Sequence, residues 1–185
     1  MSRVAAGIPW LWAPVLLLVD LATKRLVLAH AGRLSQHVEV LGEFVRFTYV
    51  RNPGAAMGLV IGGRTLLIGI SLVAAVALVL LYRHTSRRLI VRRCAVAAIL
   101  GGALGNLVDR IFYEGLVVDF IDLGIGTHRF YTFNVADMGV TLGGLVLFLS
   151  LWREGRAERA ATAGNPDAAD ATGSVPTATA AGDDA

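Results

Sequence analysis

The stretch "GGALGNLVDRIF", residues 101 to 112, combines the composition of a membrane segment with three strongly polar side chains. Small and apolar residues lead into it, and Asn106, Asp109 and Arg110 then follow within five positions. Their i, i+3, i+4 spacing places all three on one face of a helix. Because a charged group at membrane depth is costly, such a cluster indicates a functional site.

The composition of the whole chain predicts an integral membrane protein. Of its 185 residues, 55% are hydrophobic and only 17% are charged, whereas about 25% are charged in a typical soluble domain. Four apolar stretches have about the 20 residues that a helix needs to cross a bilayer: residues 10–28, 65–82, 94–112 and 133–152. Backbone groups in lipid must bond within their own segment, so we expect an all-α fold with four transmembrane helices.

The first apolar stretch also has features of a cleaved signal peptide, because "AHA" at 29–31 is typical of a cleavage site. Asp20 and Lys24 argue against that alternative, since two ionisable groups are unusual in the apolar part of a signal peptide. Their i, i+4 spacing suits an ion pair. We therefore predict that the stretch is the first transmembrane helix.

The loop charges predict the orientation. Five arginines lie between positions 83 and 93, but only Arg129 lies between 113 and 132. By the positive-inside rule the first connection is cytoplasmic and the second external. Both termini would then be cytoplasmic, in agreement with three further arginines after the last helix, at positions 153, 156 and 159.

Two segments outside the predicted helices have distinct compositions. "VEVLGEFVRFTYV", residues 38–50, is rich in β-branched and aromatic residues and predicts a small β element in the first external loop, with a possible hairpin turn at 41–43. From position 154 the chain contains mainly Ala, Thr, Gly, Asp and Pro. We therefore predict a transmembrane domain over 1–153 and a disordered cytoplasmic tail over 154–185.

The predicted topology brings polar residues from four stretches to the external side of the membrane. They are Asp20 and Lys24 on the first helix, Asn106, Asp109 and Arg110 on the third, Asn134 and Asp137 on the fourth, and Asn52 and Asp119 in the external loops. Asp20–Lys24 suits a buried structural ion pair as well as a functional role, and Asp109 and Arg110 favour binding to backbone groups or to each other. These residues together form a candidate site.

Asp119 and Asp137 have no basic residue within a helical turn in the sequence. Two facing carboxyl groups cannot both ionise cheaply, so they share a proton. Such a pair can activate water and protonate a leaving amine. This is the chemistry of an aspartic protease, although the sequence leaves open which aspartate is the base.

Other functional classes fit the sequence less well. A proton-coupled transporter subunit would distribute ionisable groups through the full membrane depth, but residues 65–82 contain none before their cytoplasmic end. A structural assembly factor gives no role to two unpaired aspartates. The arginine clusters lack the aromatic residues of a nucleic-acid surface, and Cys94, the single cysteine, has no histidine nearby to make it a nucleophile.

Five motifs resemble, in order, those of the bacterial lipoprotein signal peptidase family, also called signal peptidase II. They are "DLATK" (20–24), "NPGAAMG" (52–58), "GGALGNLVDRI" (101–111), "VVDF" (117–120) and "FNVADMG" (133–139). The resemblance implies an aspartic endopeptidase, without a metal or cofactor, that removes the signal peptide from diacylglyceryl-modified prolipoproteins by cutting before the lipidated cysteine. It implies a multi-pass protein of the bacterial cytoplasmic membrane, in contact with lipid, and we expect a monomer.

The resemblance also assigns roles to the candidate residues. Asp119 and Asp137 match the catalytic dyad, whereas Asn52, Asn106, Arg110 and Asn134 match positions that orient the substrate backbone or the dyad. Asp20, Lys24 and Asp109 match supporting positions. Met57 and Met138 depart from the family pattern, which often has Phe and a small residue there, so we expect a different substrate fit with the same chemistry.

Overall fold

The computed structural model describes residues 8–54 and 63–163. A short 3₁₀ turn, Ile8–Leu11, leads into helix α1 (Trp12–Ala29) and the single turn α2 (Ala31–Leu34). The remaining elements are, in chain order, β1 (Val38–Leu41), β2 (Val45–Asn52), α3 (Arg64–His84), α4 (Ile90–Phe112), β3 (Val117–Ile125), β4 (His128–Arg129) and α5 (Val135–Ala163). The described part of the chain forms two compact units, which meet between Phe148 and Leu149 inside α5.

Three helices in the described ranges are long and apolar enough to cross a membrane: Arg64–His84, Ile90–Phe112 and the part of α5 from Val135 to Ala157. They cover the second, third and fourth predicted segments. Helix α1 covers the first segment, but its 18 residues include Asp20, Lys24 and Arg25, which lower its apolar character. The prediction is thus confirmed to the extent that three segments form helices able to span a membrane, and the count of four spanning helices stays a prediction.

Helix α4 packs closely against both α1 and α5 because glycines line its contact faces. A Cβ atom at Gly101 would lie 2.6 Å from the backbone oxygen of Ala13 in α1. A Cβ atom at Gly102 would collide with the backbone oxygen of Ala136 in α5, and one at Gly105 with the carboxylate of Asp20. Small residues let helix backbones approach in this way, so the three helices carry their polar groups into one region.

The sheet is larger than the sequence predicted. Strands β1 and β2 form the expected antiparallel hairpin, with Gly42 at φ +50° in its turn. Strands β3 and β4, however, come from residues 113–132, which we predicted to be an external loop, and complete an antiparallel sheet of order β1-β2-β3-β4. The expectation of one small β element in the first loop is therefore incomplete.

The start of β3 is covered on both faces, and this explains why the sequence pattern did not reveal it. Val117, Val118, Asp119 and Phe120 are all buried, so polar and apolar residues do not alternate. Val118 and Phe120 pack with Val27 of α1 and Leu34 of α2. The sheet is thereby fixed to the end of the helices that the sequence predicts to be external.

Helix α5 ends at Ala163, beyond position 154, where we predicted the disordered tail to start. Residues 154–163 are mostly Glu, Arg and Ala, which have high helix propensity. Within this second unit the Arg156 guanidinium lies 4.9 Å from the ring centroid of Trp152. The rest of the predicted tail, residues 164–185, lies outside the described residues.

Candidate active site

The register of β2 against β3 places Asp119 beside Asn52. Val50 pairs with Asp119 and Asn52 pairs with Val117, so Asn52 and Asp119 are diagonal neighbours on one face of the sheet. The side-chain amide of Asn52 donates a hydrogen bond of 2.8 Å to Asp119 Oδ2. Asp119 is 1% exposed, and a neighbouring strand thus holds one of its carboxylate oxygens.

Asp137 is fixed at the beginning of α5 by a capping box. The backbone N–H of Asp137 donates to Asn134 Oδ1 at 2.9 Å, and the backbone N–H of Asn134 donates back to Asp137 Oδ2 at 3.2 Å. This reciprocal pair satisfies two N–H groups that a helix start otherwise leaves without partners. The residue preceding the cap, Phe133, exchanges backbone hydrogen bonds with Ile121 of β3, which brings the helix start to the sheet.

Asn134 and Asn106 connect the two aspartates. Asn134 Nδ2 donates to Asp119 Oδ1 at 2.6 Å and to Asn106 Oδ1 at 3.1 Å. Asn106 Nδ2 donates to Asp137 Oδ1 at 2.8 Å. Two side-chain amides, one from α4 and one from the cap of α5, therefore set the positions of both carboxyl groups.

The ammonium group of Lys24 lies behind these amides. Its Nζ is 2.8 Å from Asp20 Oδ2, 2.9 Å from Asp109 Oδ2 and 2.9 Å from Asn106 Oδ1. Lys24 is 2% exposed, and its three donors match three acceptors. Lys24 thus links the carboxylates of Asp20 and Asp109 to Asn106, whose side-chain amide binds Asp137.

The two carboxylates around Lys24 also bind backbone groups of the elements that carry the catalytic candidates. Asp20 Oδ1 accepts a 2.8 Å hydrogen bond from the N–H of Ala136, in the first turn of α5. Asp109 Oδ2 accepts one of 3.0 Å from the N–H of Val118, next to Asp119. The ion-pair cluster therefore fixes both backbone segments that present the aspartates.

Arg110 supplies a second buried cation. Its guanidinium donates long hydrogen bonds of 3.4 Å to the carbonyls of Asn106 and Gly54, and it interacts electrostatically with Asp137 and Asp119. Its Nε atom is buried without an acceptor among the described residues. Arg110 therefore retains hydrogen-bonding capacity beside the two aspartates.

A cavity of about 710 Å³ opens onto these groups, within the size range typical of ligand sites. Its polar wall consists of Asn52, Asn106, Arg110, Asp119 and Asp137. Its apolar wall is built mainly by Phe130, Tyr131, Met138, Val140 and Leu142. A substrate with one polar reacting bond and apolar neighbouring groups would fit these two walls.

The pKa of Asp119 is raised from its ordinary value of 3.8 to about 7. Burial is the main cause, because it disfavours the charged form, and the negative charge of Asp137 acts in the same direction. The hydrogen bonds from Asn52 and Asn134 oppose the shift. Asp119 therefore holds a proton in an appreciable fraction of molecules at neutral pH.

The structure brings together all nine side chains that the sequence singled out. The Asp20–Lys24 ion pair is confirmed, and the ion-pair partner of Asp109 is also Lys24. Asp109 binds a backbone amide, as one of the two alternatives predicted, and Met138 lines the cavity. Met57 lies outside the described residues. Cys94 is about three helical turns before Asn106 on α4, and it does not line the cavity.

Sequence reasoning missed the role of Gly54, whose carbonyl accepts from Arg110, and of the aromatic residues Phe130 and Tyr131 in the cavity wall. The run "FYTF" at 130–133, directly before the predicted site residue Asn134, was the available signal. No sequence pattern predicts that the carbonyl of a particular glycine will accept such a hydrogen bond.

Membrane-compatible helices and two carboxyl groups, one buried and one half-buried, that face an open cavity are features of a membrane enzyme. The profile of the family described as signal peptidase (SPase) II matches residues 12–153. The chain belongs to this family and is a peptidase. The predicted family is thus confirmed, and the transporter alternative is not supported.

Similar proteins agree with this assignment. The chain is 38% identical over 151 residues to the lipoprotein signal peptidases of Yersinia enterocolitica and Yersinia pseudotuberculosis, covering 78% of this chain and 87% of each relative. A bacterial membrane enzyme solved by the in meso method at 2.3 Å aligns with a TM-score of 0.72 at 32% identity, over 80% of this chain and 89% of the other. A second such structure, at 1.9 Å, gives 0.69 and 32%, over 78% and 92%.

The buried cation provides a test of the site's construction. Replacing Lys24 by Met should destabilise the protein by about 3–5 kcal/mol, because it leaves the carboxylates of Asp20 and Asp109 buried without a counter-charge. The matched control is Arg25→Met, which changes an exposed neighbour and should shift stability by no more than about 0.5 kcal/mol. Reversible unfolding in detergent micelles measures both variants, and equal effects would contradict the role assigned to Lys24.

Proposed function

We propose that this peptidase removes the signal peptide from diacylglyceryl-modified prolipoproteins, cutting before the lipidated cysteine, with Asp119 and Asp137 as an aspartic dyad. One observation carries the proposal: two carboxyl groups, joined through Asn134 and Asn106, face a cavity with one polar and one apolar wall. The names of the relatives support the lipoprotein substrate.

The proposed reaction is general acid–base hydrolysis of one peptide bond. One carboxylate accepts a proton from a water molecule while the water oxygen attacks the scissile carbonyl carbon. The protonated partner donates its proton to the carbonyl oxygen, which gives a tetrahedral diol. As the C–N bond then breaks, the proton taken from water passes to the leaving amine, and a diol hydroxyl returns its proton to the partner, which restores the starting pair. The two carboxyl groups thus supply both the base and the acid that the reaction needs.

We assign the resting proton to Asp119 and the role of base to Asp137. The raised pKa of Asp119 supports this assignment, because a carboxyl group with a pKa of about 7 stays partly neutral at physiological pH. Asp137 is only half-buried and lines the open cavity, where a water molecule can reach it.

Arg110 and the asparagines are proposed to align the substrate. Arg110 Nε has no acceptor among the described residues and can donate to a backbone carbonyl of the bound peptide. Asn52 and Asn134 already use their side-chain amides on Asp119, so we assign them to the orientation of the dyad. Because one chain supplies every group, we propose that the enzyme acts as a monomer.

The apolar wall of the cavity is proposed to receive the lipid-bearing side of the substrate. Phe130, Tyr131 and Leu142 are each more than half exposed, and they line the same cavity as the aspartates. Met138 directly follows Asp137 and lines the same cavity. We therefore expect Met138 to influence substrate fit more than the chemical step.

The catalytic dyad gives a direct test with purified protein and a diacylated prolipoprotein. Asp119→Asn and Asp137→Asn should each lower signal-peptide release by at least about a hundredfold, because an amide cannot transfer the proton. Asp122→Asn, three positions along the same strand and outside the cavity wall, is the matched control and should remain active, as should Cys94→Ala. Substantial turnover by either dyad variant would contradict the proposal.

The pH dependence tests the assignment of the proton to Asp119. A raised pKa in the folded protein adds stability that is complete below the unfolded value of 3.8 and is lost as the pH rises through about 7. The melting temperature of the wild type should therefore fall relative to that of Asp119→Asn across this window, and kcat/KM of the wild type should decline above about pH 7. The assignment would be contradicted if the melting temperatures of the two proteins changed equally with pH and kcat/KM of the wild type did not change above pH 7.

We propose that the site lies at the external face of the bacterial cytoplasmic membrane, with four spans and both termini inside, as the arginine distribution suggests. Reporter fusions after Arg88 and Arg156 should then indicate cytoplasm, whereas fusions at Gly42 and Gly126 should indicate the outside. The opposite pattern would place the dyad on the wrong side for lipidated substrates.

A further inference from the structure

A second cavity lies between α1, α3 and α4, on surfaces that do not contribute to the active-site cavity. Its volume is about 460 Å³, and it opens outward along the membrane-compatible helices. Its walls are apolar side chains, chiefly Trp10, Pro14, Leu17, Val76, Leu80 and Leu104. Val76 is 60% exposed, so this groove is accessible from the lipid side of the helices.

One end of the groove leads to a cluster of aromatic and cationic groups. The ring of Trp10 contacts Tyr82 edge-on at a centroid distance of 4.9 Å. The guanidinium of Arg93 lies 4.1 Å from the centroid of the same Tyr82 ring, and its Nη1 donates to the carbonyl of Thr85 at 3.1 Å. The ring of Tyr82 thus lies between Trp10, which lines the groove, and the guanidinium of Arg93.

The surroundings of Arg93 favour a negatively charged ligand. Its Nε is buried without an acceptor among the described residues, and Arg83, Arg87 and Arg88 are exposed on the same connection. Helix α4 begins here, and its N-cap residue, Leu89, makes no side-chain hydrogen bond to the first turn. Helix N-termini attract anions because their backbone N–H groups and dipole point outward.

We propose that this groove binds one anionic phospholipid, with an acyl chain between α1 and α3 and the phosphate at Arg93. An apolar groove that ends in a basic cluster matches a lipid with a negatively charged head group. A zwitterionic lipid would fill the groove equally well but would gain less from the arginines. This site is separate from the catalytic reaction and does not depend on the proposed function.

Tryptophan quenching by brominated lipids tests the site, because Trp10 lines the groove. A Trp10 reporter, made by Trp12→Phe and Trp152→Phe, is placed in phosphatidylcholine vesicles that contain dibrominated phosphatidylglycerol or dibrominated phosphatidylcholine at equal mole fraction. We expect a relative binding constant of roughly five in favour of phosphatidylglycerol, the gain from about one basic side chain. A ratio near one would overturn the proposal.

Two sets of controls separate this site from a general attraction of anionic lipids. A Trp12 reporter, made by Trp10→Phe and Trp152→Phe, sits two residues away outside the groove and should show no preference. In the Trp10 reporter, Arg93→Gln should abolish the preference and Arg93→Lys should retain most of it. An equal preference at Trp12, or one that survives Arg93→Gln, would overturn the proposal.

The groove itself is tested on helix α3. Val76→Phe should fill the groove and lower quenching of Trp10 by brominated phosphatidylglycerol severalfold. Val73→Phe adds the same ring to an exposed position one turn earlier that does not line the groove, and it should leave quenching unchanged. These two variants test whether an acyl chain occupies the groove even if Arg93→Gln does not fold. Equal quenching of Trp10 in both variants would show that no acyl chain occupies it.

Discussion

The ammonium group of Lys24 is buried between the carboxylates of Asp20 and Asp109, and removing three charges from water is costly unless each finds a partner. Here each does, because the remaining donor of Lys24 binds Asn106 and the carboxylates bind the backbone at Ala136 and Val118. Those two backbone positions adjoin Asp137 and Asp119. The cluster therefore joins α1, α4, α5 and β3 at the point where the catalytic candidates lie.

The amide network in front of this cluster gives the two aspartates different environments. Asp119 is on a buried strand and receives two side-chain amides, whereas Asp137 begins a helix and faces the cavity. Burial is the main cause of the raised pKa of Asp119. The proposed tasks of acid and base would thus fall to two chemically identical side chains that the fold surrounds differently.

Much of this arrangement could be predicted from the sequence, since helical spacing and the cost of buried charge identified the polar residues on the helices, and the predicted topology added Asn52 and Asp119 from the external loops. The partner of Asp109 was less predictable. Lys24 is distant in sequence, and only the close approach of α1 and α4 at Gly101 and Gly105 brings it near. Strand β3 was missed because its first residues are buried on both faces, so polar and apolar residues do not alternate along it. Its pairing with β2 also depends on contacts between segments that are distant in the sequence.

The capping box at the beginning of α5 has a consequence for how the enzyme moves. The carboxylate of Asp137 faces the cavity, and it also accepts a hydrogen bond from the backbone N–H of Asn134, which forms part of the cap. A proton arriving on this group removes a negative charge that favours the helix N-terminus and weakens the cap. In the proposed reaction Asp137 gains and loses a proton, so the order of the first turn of α5 would change with each of those proton transfers.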